Sequence, residues 1–179
     1  MLVGLTGRNA AGKTTVLQWF QRRGFLTGSC SDSIRAWLSD NDIQPTRENL
    51  INGGRELRKR HGPGILAEML LKAFEGENAV IDSIRTPDEV YALRRRNDFV
   101  LLEVTADPET RWLRAEARAR SGDPMTKEAF LEVERLELVS KDATGQSLIA
   151  TSALADHTVE NNGDLASLER HLGELFPKI

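Results

Sequence analysis

The sequence predicts an α/β fold with a mainly parallel sheet, and three observations lead to this prediction. Short apolar runs alternate with helix-like segments, and a glycine-rich loop joins the first apolar run to the first helix. The length of 179 residues suits one domain with a sizeable core. We therefore expect a single domain over residues 1–179, with helices on both faces of the sheet.

The strands are expected where apolar residues cluster between turn signals, and the helices lie between them. One helix start is well marked, because Thr86 suits an N-cap, Pro87 the first helical position and Glu89 a capping box. Gly62-Pro63-Gly64 is expected to divide a long helical segment in two. The expected strands are residues 2–6, 25–29, 79–82, 99–104 and 156–160, and the expected helices are about 12–23, 32–38, 46–74, from 86, 107–120, 127–139 and from 164.

Composition and charge argue against several classes of protein. The chain has 27 acidic and 24 basic residues, whereas general nucleic-acid binding needs a clearly basic surface, so no nucleic-acid partner is expected. The single cysteine, Cys30, permits neither a disulfide nor a multi-cysteine metal site within the chain. No apolar stretch approaches the length of a membrane span or a signal peptide. We expect a cytoplasmic monomer or homodimer without a membrane partner.

The loop after the first strand fits the phosphate-loop pattern at every fixed position. Its glycines let the backbone curl around a phosphate, and the following helix offers unpaired N–H groups to the same anion. Lys13 supplies a positive charge to the terminal phosphates, and Thr14 offers a hydroxyl to Mg²⁺. The loop therefore predicts binding of ATP with Mg²⁺, through Gly7, Arg8, Asn9, Ala10, Ala11, Gly12, Lys13, Thr14 and Thr15.

Several classes of protein share a phosphate loop, and the rest of the chain narrows the choice. The sequence contains no Asn-Lys-x-Asp element for guanine recognition. Asp142-Ala143-Thr144-Gly145 imitates a GTPase switch pattern but lies in the wrong part of the chain. The chain also looks too short for an AAA module. These observations argue against a GTPase and against an AAA ATPase.

Three motifs occur in the order found in adenylate kinases. They are the loop with its flanks, Leu5 to Thr15, then Ser31-Asp32-Ser33-Ile34-Arg35, then Ile81-Asp82-Ser83-Ile84-Arg85-Thr86. The chain thus resembles adenylate kinases, which carry Gly-Asp-x-Leu-Arg and Asp-Gly-Phe-Pro-Arg-Thr at the second and third places. The departures, Ser31 for Gly and Ser83-Ile84 for Gly-Phe-Pro, mean that the identity of the acceptor is not carried over.

Other segments extend the resemblance over nearly the whole chain. Residues 45–50, 57–64 and 121–124 resemble an uncharacterised family of small P-loop proteins related to adenylate kinase and dephospho-CoA kinase. The resemblance implies the P-loop nucleoside triphosphate hydrolase fold, with five parallel strands in the order 2-3-1-4-5. It also implies a helical acceptor-binding insertion at about 31–75 and a lid at about 115–128.

Four residues are candidates for the metal and acceptor sites. Asp82 ends an apolar strand, where a carboxylate can hold Mg²⁺ beside Thr14, although it can also be a cap or a solvated strand end. Asp32 can orient or deprotonate the acceptor or contact the metal, and its alternative is the N-cap of the next helix. Arg35 and Arg85 can grip an acceptor phosphate as guanidinium forks, or they can form surface ion pairs.

Arginines crowd the segment before the expected lid. Arg111, Arg114 and Arg118 recur every three or four residues and share one helix face, and Arg120 follows them. Such cations suit a lid over transferring phosphates, because phosphoryl transfer depends on positioning and charge stabilisation. We expect Arg118 to assist catalysis and Arg120 to contact the donor. The alternative is a solvated helix face paired with Glu109 and Glu116.

Two further segments have open interpretations. Arg58-Lys59-Arg60-His61 flanks the acceptor pocket or is a solvated helix end. Asn161-Asn162-Gly163, after the last strand, lies near the donor base or is a simple turn.

The preferred function is a nucleoside or deoxynucleoside monophosphate kinase, with a small nucleotide as the acceptor of the ATP γ-phosphate. One alternative is an enzyme like dephospho-CoA kinase, in which Asp32 acts as a base. Another is a regulatory nucleotide-binding ATPase without a small-molecule acceptor.

Overall fold

The computed structural model of the protein describes residues 1–119, 126–139 and 148–177. Its centre is a five-stranded sheet whose neighbouring strands are parallel. The strands are β1 (Leu2–Thr6), β2 (Leu26–Ser29), β3 (Ala79–Asp82), β4 (Phe99–Thr105) and β5 (His157–Glu160). They stand side by side in the order β2-β3-β1-β4-β5, which confirms the expected order and fold class.

The helices of the described residues agree with the sequence-based expectation in most places. They are α1 (Lys13–Gln21), α2 (Cys30–Asp40), α3 (Arg47–His61), α4 (Ile65–Ala73), α5 (Pro87–Leu93), α6 (Pro108–Arg118), α7 (Lys127–Val139), α8 (Leu148–Ser152) and α9 (Leu165–Leu175). Helix α2 begins two residues earlier than expected, because Ser29 is its N-cap. Helix α8 was not expected, since five residues are too few to show a helical periodicity.

Two hydrophobic cores cover the two faces of the sheet, because successive side chains of a strand point to opposite faces. Val3 and Leu5 are fully buried in a core formed with α1 and α9. Leu2 is fully buried in a second core formed with helices α2 to α5. Burial of both faces is the usual state of an all-parallel sheet.

The start of α5 and the end of α6 show how local sequence sets the helix bounds. The predicted capping box of α5 is confirmed, since Glu89 N donates to Thr86 Oγ1 and Thr86 N donates to a Glu89 carboxylate oxygen, each at 3.3 Å. Helix α6 ends at Arg118 because Ala119 adopts a left-handed conformation with φ of 42°. Within residues 1–119, 126–139 and 148–177, no helix has the length and apolar character to cross a membrane.

The register of the sheet brings the carboxyl ends of its strands to one edge. Ser29 lies opposite Asp82, and Thr105 lies opposite Glu160. Ligands of open α/β sheets bind at this edge, where the loops after the strands meet. The candidate site is therefore built from the loops that follow β1, β3 and β5.

Candidate functional site

The loop between β1 and α1 has a backbone geometry that suits a phosphate. Gly7, Ala10 and Gly12 have positive φ angles of 129°, 58° and 103°, a pattern that can turn successive N–H groups toward one anion. A Cβ atom at Gly7 would collide with the carbonyl oxygen of Val104, so only glycine fits there. The left-handed Ala10 costs about 1 kcal/mol, which is strain of the kind retained at functional sites.

Lys13 begins α1, and its ammonium group folds back onto the loop. Its Nζ donates to the carbonyl oxygen of Gly7 at 2.8 Å and to that of Arg8 at 2.9 Å. Thr14 is exposed in the first turn of the same helix. An anion on the loop would therefore meet the ammonium group, the Thr14 hydroxyl and the N-terminal donors of α1 together.

Asn161, which follows the edge strand β5, holds this loop by a side-chain hydrogen bond, a role that the sequence did not reveal. The residue follows β5 directly and is 5% exposed. Its Nδ2 donates to the carbonyl oxygen of Ala11 at 2.9 Å, and its backbone N donates to Thr105 O at 2.8 Å. A Cβ atom at Gly12 would collide with this Nδ2. The simple-turn interpretation of this segment is therefore incomplete.

Two arginines of α6 contact the phosphate loop and its support. Arg114 places one guanidinium nitrogen 3.4 Å from the carbonyl oxygen of Ala11 and the other 3.4 Å from Oδ1 of Asn161. Arg118 donates to Oδ1 of Asn9, inside the loop, at 3.0 Å. Arg114 and Arg118 of α6 thus lie against the loop. Arg120 lies outside the described residues, as do residues 121–124 and 142–145 of the other sequence motifs.

Arg111 on the same face is buried, so the prediction of a solvated face is wrong for this residue. It is 1% exposed, and its Nε donates to Ala106 O at 2.9 Å. Its guanidinium group forms an ion pair with Glu134 of α7, which is 6% exposed. Burial lowers the pKa of Arg111 to about 10, with a further contribution from the nearby charge of Arg8, so the side chain stays charged at neutral pH. The pair fixes α7 against α6.

The turn after β3 places Asp82 and Arg85 beside the end of β1. Ile84 N donates to Leu5 O at 3.0 Å, and the buried hydroxyl of Thr6 donates to Ile84 O at 2.9 Å. One oxygen of the half-buried Asp82 carboxylate accepts a hydrogen bond from Ser83 N at 2.7 Å. Arg85 is exposed at the end of the turn.

A buried carboxylate, Glu89, links this turn to the helices beside it. The residue is 2% exposed, and its oxygens accept hydrogen bonds from Arg85 N at 3.0 Å and from a guanidinium nitrogen of Arg58 at 3.4 Å. Cys30 lies close to the same group. Burial raises the pKa of the Cys30 thiol well above its ordinary value, and the charge and hydrogen bonding of Glu89 raise it further. Arg58 therefore joins α3 to the Arg85 turn, and the raised pKa of Cys30 disfavours the reactive thiolate form.

Asp32 and Arg35 form a local structure at the start of α2. Asp32 Oδ2 accepts hydrogen bonds from Ser29 N at 2.7 Å and from Ser29 Oγ at 2.8 Å. The Ser29 side chain in turn accepts from the backbone N of Asp32, which completes a capping box. The other carboxylate oxygen of Asp32 accepts a hydrogen bond from Arg35 at 3.0 Å. The N-cap is therefore Ser29, and Asp32 occupies the third helical position. Both charged side chains are exposed.

A pocket lies between the phosphate loop and the turn after β3. It is lined by Gly7, Asn9 and Lys13 of the loop, by Ser83, Ile84 and Arg85 of the turn, and by Leu148 of α8. Of the predicted site residues, this pocket brings together Lys13, Arg85 and two positions of the loop, whereas Asp32 and Arg35 do not line it. Leu148 was not predicted, because no motif marks a lone leucine in a short helix.

The described residues contain no group of three or more His, Cys, Asp or Glu side chains that could hold a metal ion by themselves. Magnesium is commonly bound by one or two carboxylates together with substrate phosphates. Asp82 and Thr14 fit such a partial set, since they provide one carboxylate and one hydroxyl. A metal that binds with a nucleotide is therefore compatible with this edge of the sheet, whereas an all-protein metal cage is not found there.

The fold and the phosphate loop together define the class of this chain, which is a P-loop protein. The chain belongs to the family described as AAA domain, whose model matches residues 3–137, and to the UPF0200 proteins. The prediction that the chain is too short for an AAA module is therefore wrong. UPF0200 protein PH1008 of Pyrococcus horikoshii is 30% identical over 187 residues, which cover 100% of this chain and 97% of that protein.

Solved structures support the fold at lower sequence identity. TT1252 from Thermus thermophilus has a TM-score of 0.65 at 20% identity and covers 100% of this chain and 97% of its own. Shikimate kinase from Bacteroides thetaiotaomicron has a TM-score of 0.60 at 15% identity and covers 99% of this chain and 98% of its own. At these identities the likeness concerns the fold alone.

Proposed function

We propose that this protein is an ATP-dependent kinase whose acceptor is a small nucleotide, a nucleoside or deoxynucleoside monophosphate. The observation that carries this proposal is the pocket in which Lys13 and the phosphate loop share a lining with Arg85 and the turn after β3. A donor phosphate on the loop and an acceptor phosphate bound by Arg85 would then be neighbours. The arginine face of α6 adds cations beside the same loop.

On the donor side, the backbone of Gly7 to Thr15 would hold the β- and γ-phosphates. Lys13 would exchange the carbonyl oxygens of Gly7 and Arg8 for phosphate oxygens, which are stronger acceptors because they are charged. Arg118, now bonded to Asn9, is near enough to the loop to stabilise charge on the transferring group. Arg8 and Arg120 are further proposed contacts to the donor, and they are secondary to Lys13 and Arg118.

Thr14 and Asp82 would hold Mg²⁺ together with the donor phosphates. The bound ion would supply positive charge that neutralises the phosphate oxygens. The Asp82 carboxylate suits this role because Ser83 N fixes only one of its oxygens.

On the acceptor side, Arg85 would bind the acceptor phosphate with its guanidinium group. An oxygen of that phosphate attacks the γ-phosphorus, the bond from the γ-phosphorus to the bridging oxygen breaks, and ADP leaves. Glu89 orients Arg85 by accepting a hydrogen bond from its backbone N. Leu148 contributes apolar surface that excludes water, which would otherwise compete as the acceptor. The acceptor-binding insertion at about 31–75 and the lid at about 115–128 remain predictions.

Asp32 and Arg35 have a smaller part in this proposal than the sequence suggested. Asp32 is engaged by Ser29 and Arg35, an arrangement that favours helix capping over proton transfer. A phosphate acceptor needs little base catalysis, so the proposed reaction proceeds without it. A catalytic Asp32 belongs instead to the alternative in which a ribose hydroxyl is the acceptor.

An assay with a panel of acceptors tests the proposal. Purified protein is mixed with ATP, Mg²⁺ and each nucleoside or deoxynucleoside monophosphate in turn, and ADP formation is measured. We expect at least one monophosphate to stimulate ADP formation strongly. Stimulation only by dephospho-CoA, abolished in Asp32→Asn, would replace the proposal with the hydroxyl-acceptor alternative. Slow hydrolysis that no acceptor changes would favour a regulatory ATPase.

Two variants test the proposed donor and acceptor sides of the pocket. Lys13→Ala should weaken ATP binding roughly 100-fold or more, because several charge-assisted hydrogen bonds are lost. Lys72→Ala, in which an exposed lysine of α4 is removed, is the matched control. Arg85→Ala should raise the acceptor KM while ATP affinity stays unchanged, and Arg95→Ala, at an exposed arginine paired with Glu68, is its control. Normal ATP affinity in Lys13→Ala would refute the donor assignment.

A further inference from the structure

Asn161 is placed so that it can determine the direction of one N–H group of the phosphate loop. Its Nδ2 donates to Ala11 O at 2.9 Å, and its backbone N is anchored on Thr105 O at 2.8 Å. The side chain is 5% exposed, so water competes little for this bond. Gly12 packs directly against Nδ2, and any larger residue there would displace it.

Because the peptide bond is planar, the hydrogen bond to Ala11 O also sets the direction of the neighbouring N–H group. The carbonyl of Ala11 and the N–H of Gly12 belong to the same trans peptide, so they point in opposite directions. Because the carbonyl is directed at Asn161, the N–H of Gly12 is directed away from it. Gly12 is the N-cap of α1, and its N–H belongs to the donors at the helix start that have no intrahelical partner.

We propose that Asn161 is a positioning residue that presents the Gly12 N–H to a phosphate of the bound triphosphate. The inference rests on the proposed binding of ATP to the loop. Without the amide donor, the carbonyl of Ala11 loses its shorter hydrogen bond, and the N–H of Gly12 is held less firmly in the direction of the anion. Arg114 contributes a weaker contact to the same carbonyl, at 3.4 Å, and does not replace the amide.

The neighbouring Asn162 provides a matched control. Asn162 Oδ1 accepts a hydrogen bond from Asp107 N at 2.7 Å, and its Nδ2 donates to Glu160 at 2.7 Å. Asn161→Asp and Asn162→Asp therefore make the same small chemical change one residue apart. The first puts a carboxylate oxygen in place of the donor to Ala11, and the second does not alter that bond.

The experiment compares these variants with the wild type by titration calorimetry, using Mg²⁺ and a non-hydrolysable ATP analogue. Asn161→Asp should bind the analogue roughly 10- to 100-fold more weakly, as expected for the loss of one hydrogen bond to a charged group. Asn162→Asp should bind it like the wild type. Equal affinities of Asn161→Asp and the wild type would overturn the inference. A uniform loss in both variants would also overturn it, because it would be a general effect of charge.

A second measurement on the wild-type protein does not depend on the folding of any variant. The amide resonance of Gly12 should move downfield when the analogue binds, because its N–H gains a charged acceptor. A resonance that stays in place would overturn the inference even if the protein is a kinase. A wild type that binds the analogue but phosphorylates no acceptor would refute the proposed function and leave this inference supported. A wild type that does not bind the analogue would overturn both.

Discussion

Replacing Glu134 by alanine should destabilise the protein strongly, because it leaves the buried guanidinium group of Arg111 without its carboxylate. Arg111 is 1% exposed and Glu134 is 6% exposed, so water reaches neither side chain easily. After the change, Arg111 retains its hydrogen bond to Ala106 O and its place over the Phe130 ring, with the guanidinium carbon 6.0 Å from the ring centroid. Arg8, whose guanidinium lies 3.8 Å from Glu134, becomes an uncompensated like charge nearby.

The expected cost follows from this environment. Removing one partner of a buried ion pair costs about 3–5 kcal/mol, and the remaining hydrogen bond to Ala106 places this case near the lower end. In the intact protein the pKa of Arg111 is lowered only to about 10, so this side chain is charged at pH 7 before the change. For a chain of this size, each kcal/mol lowers the melting temperature by about 2–4 °C. A loss of about 3 kcal/mol therefore predicts a decrease of roughly 6–12 °C.

Thermal and urea unfolding of Glu134→Ala, followed by circular dichroism, measure this cost directly. Glu132→Ala is the matched control, because Glu132 forms an Arg–Glu pair on the same helix that is exposed on both sides. The control should unfold like the wild type. If the two variants lose the same stability, the argument from burial is refuted, and so is the assignment of α7 as a helix fixed by Arg111.

Two other predictions concern the pocket and the buried thiol. Leu148→Ala should increase acceptor-independent ATP hydrolysis several-fold relative to transfer, because water gains access to the pocket. Ile149→Ala, at an exposed neighbour, should not, and an equal ratio in both variants would contradict the role of Leu148. The Cys30 thiol should react with a disulfide reagent at pH 8 only as fast as the protein unfolds, since burial and Glu89 raise its pKa. In the folded protein the pKa of Cys30 lies above its ordinary value of 9.0. Ionisation of this thiol therefore leaves the free energy of unfolding unchanged below pH 9.0 and lowers it as the pH rises further. Rapid labelling of the native protein would exclude a buried thiol.

Local signals were sufficient to predict the five strands, most of the helices and the phosphate loop. The phosphate loop is contiguous, so its glycines, Lys13 and Thr14 follow from a short pattern and the strand and helix that flank it. The capping box of Thr86 and Glu89 is equally local and was found in the structure. The strand order needed more than local signals, and it followed from the resemblance of successive motifs.

The missed residues act over long distances in the sequence. Asn161 contacts Ala11 across 150 positions, and a turn of two asparagines carries no sign of that contact. The arginines of α6, Arg111 among them, are spaced like polar residues on a solvent-exposed helix face. Only the ion pair with Glu134, on a different helix, explains why Arg111 is buried. Asp32 shows the opposite error, in which a motif suggested too much. Its motif position suggested a catalytic role, whereas its carboxylate bonds to Ser29 at the start of α2.

Glu89 and Arg58 constrain how the proposed acceptor side of this protein can be exchanged between relatives. The two side chains are 31 positions apart and meet at 3.4 Å beside the turn that carries Arg85. A chimera that imports α3 from a relative without the arginine would leave the buried Glu89 with an unbalanced charge. Positions 58 and 89 should therefore be inherited together, and grafts intended to change the acceptor should transfer both.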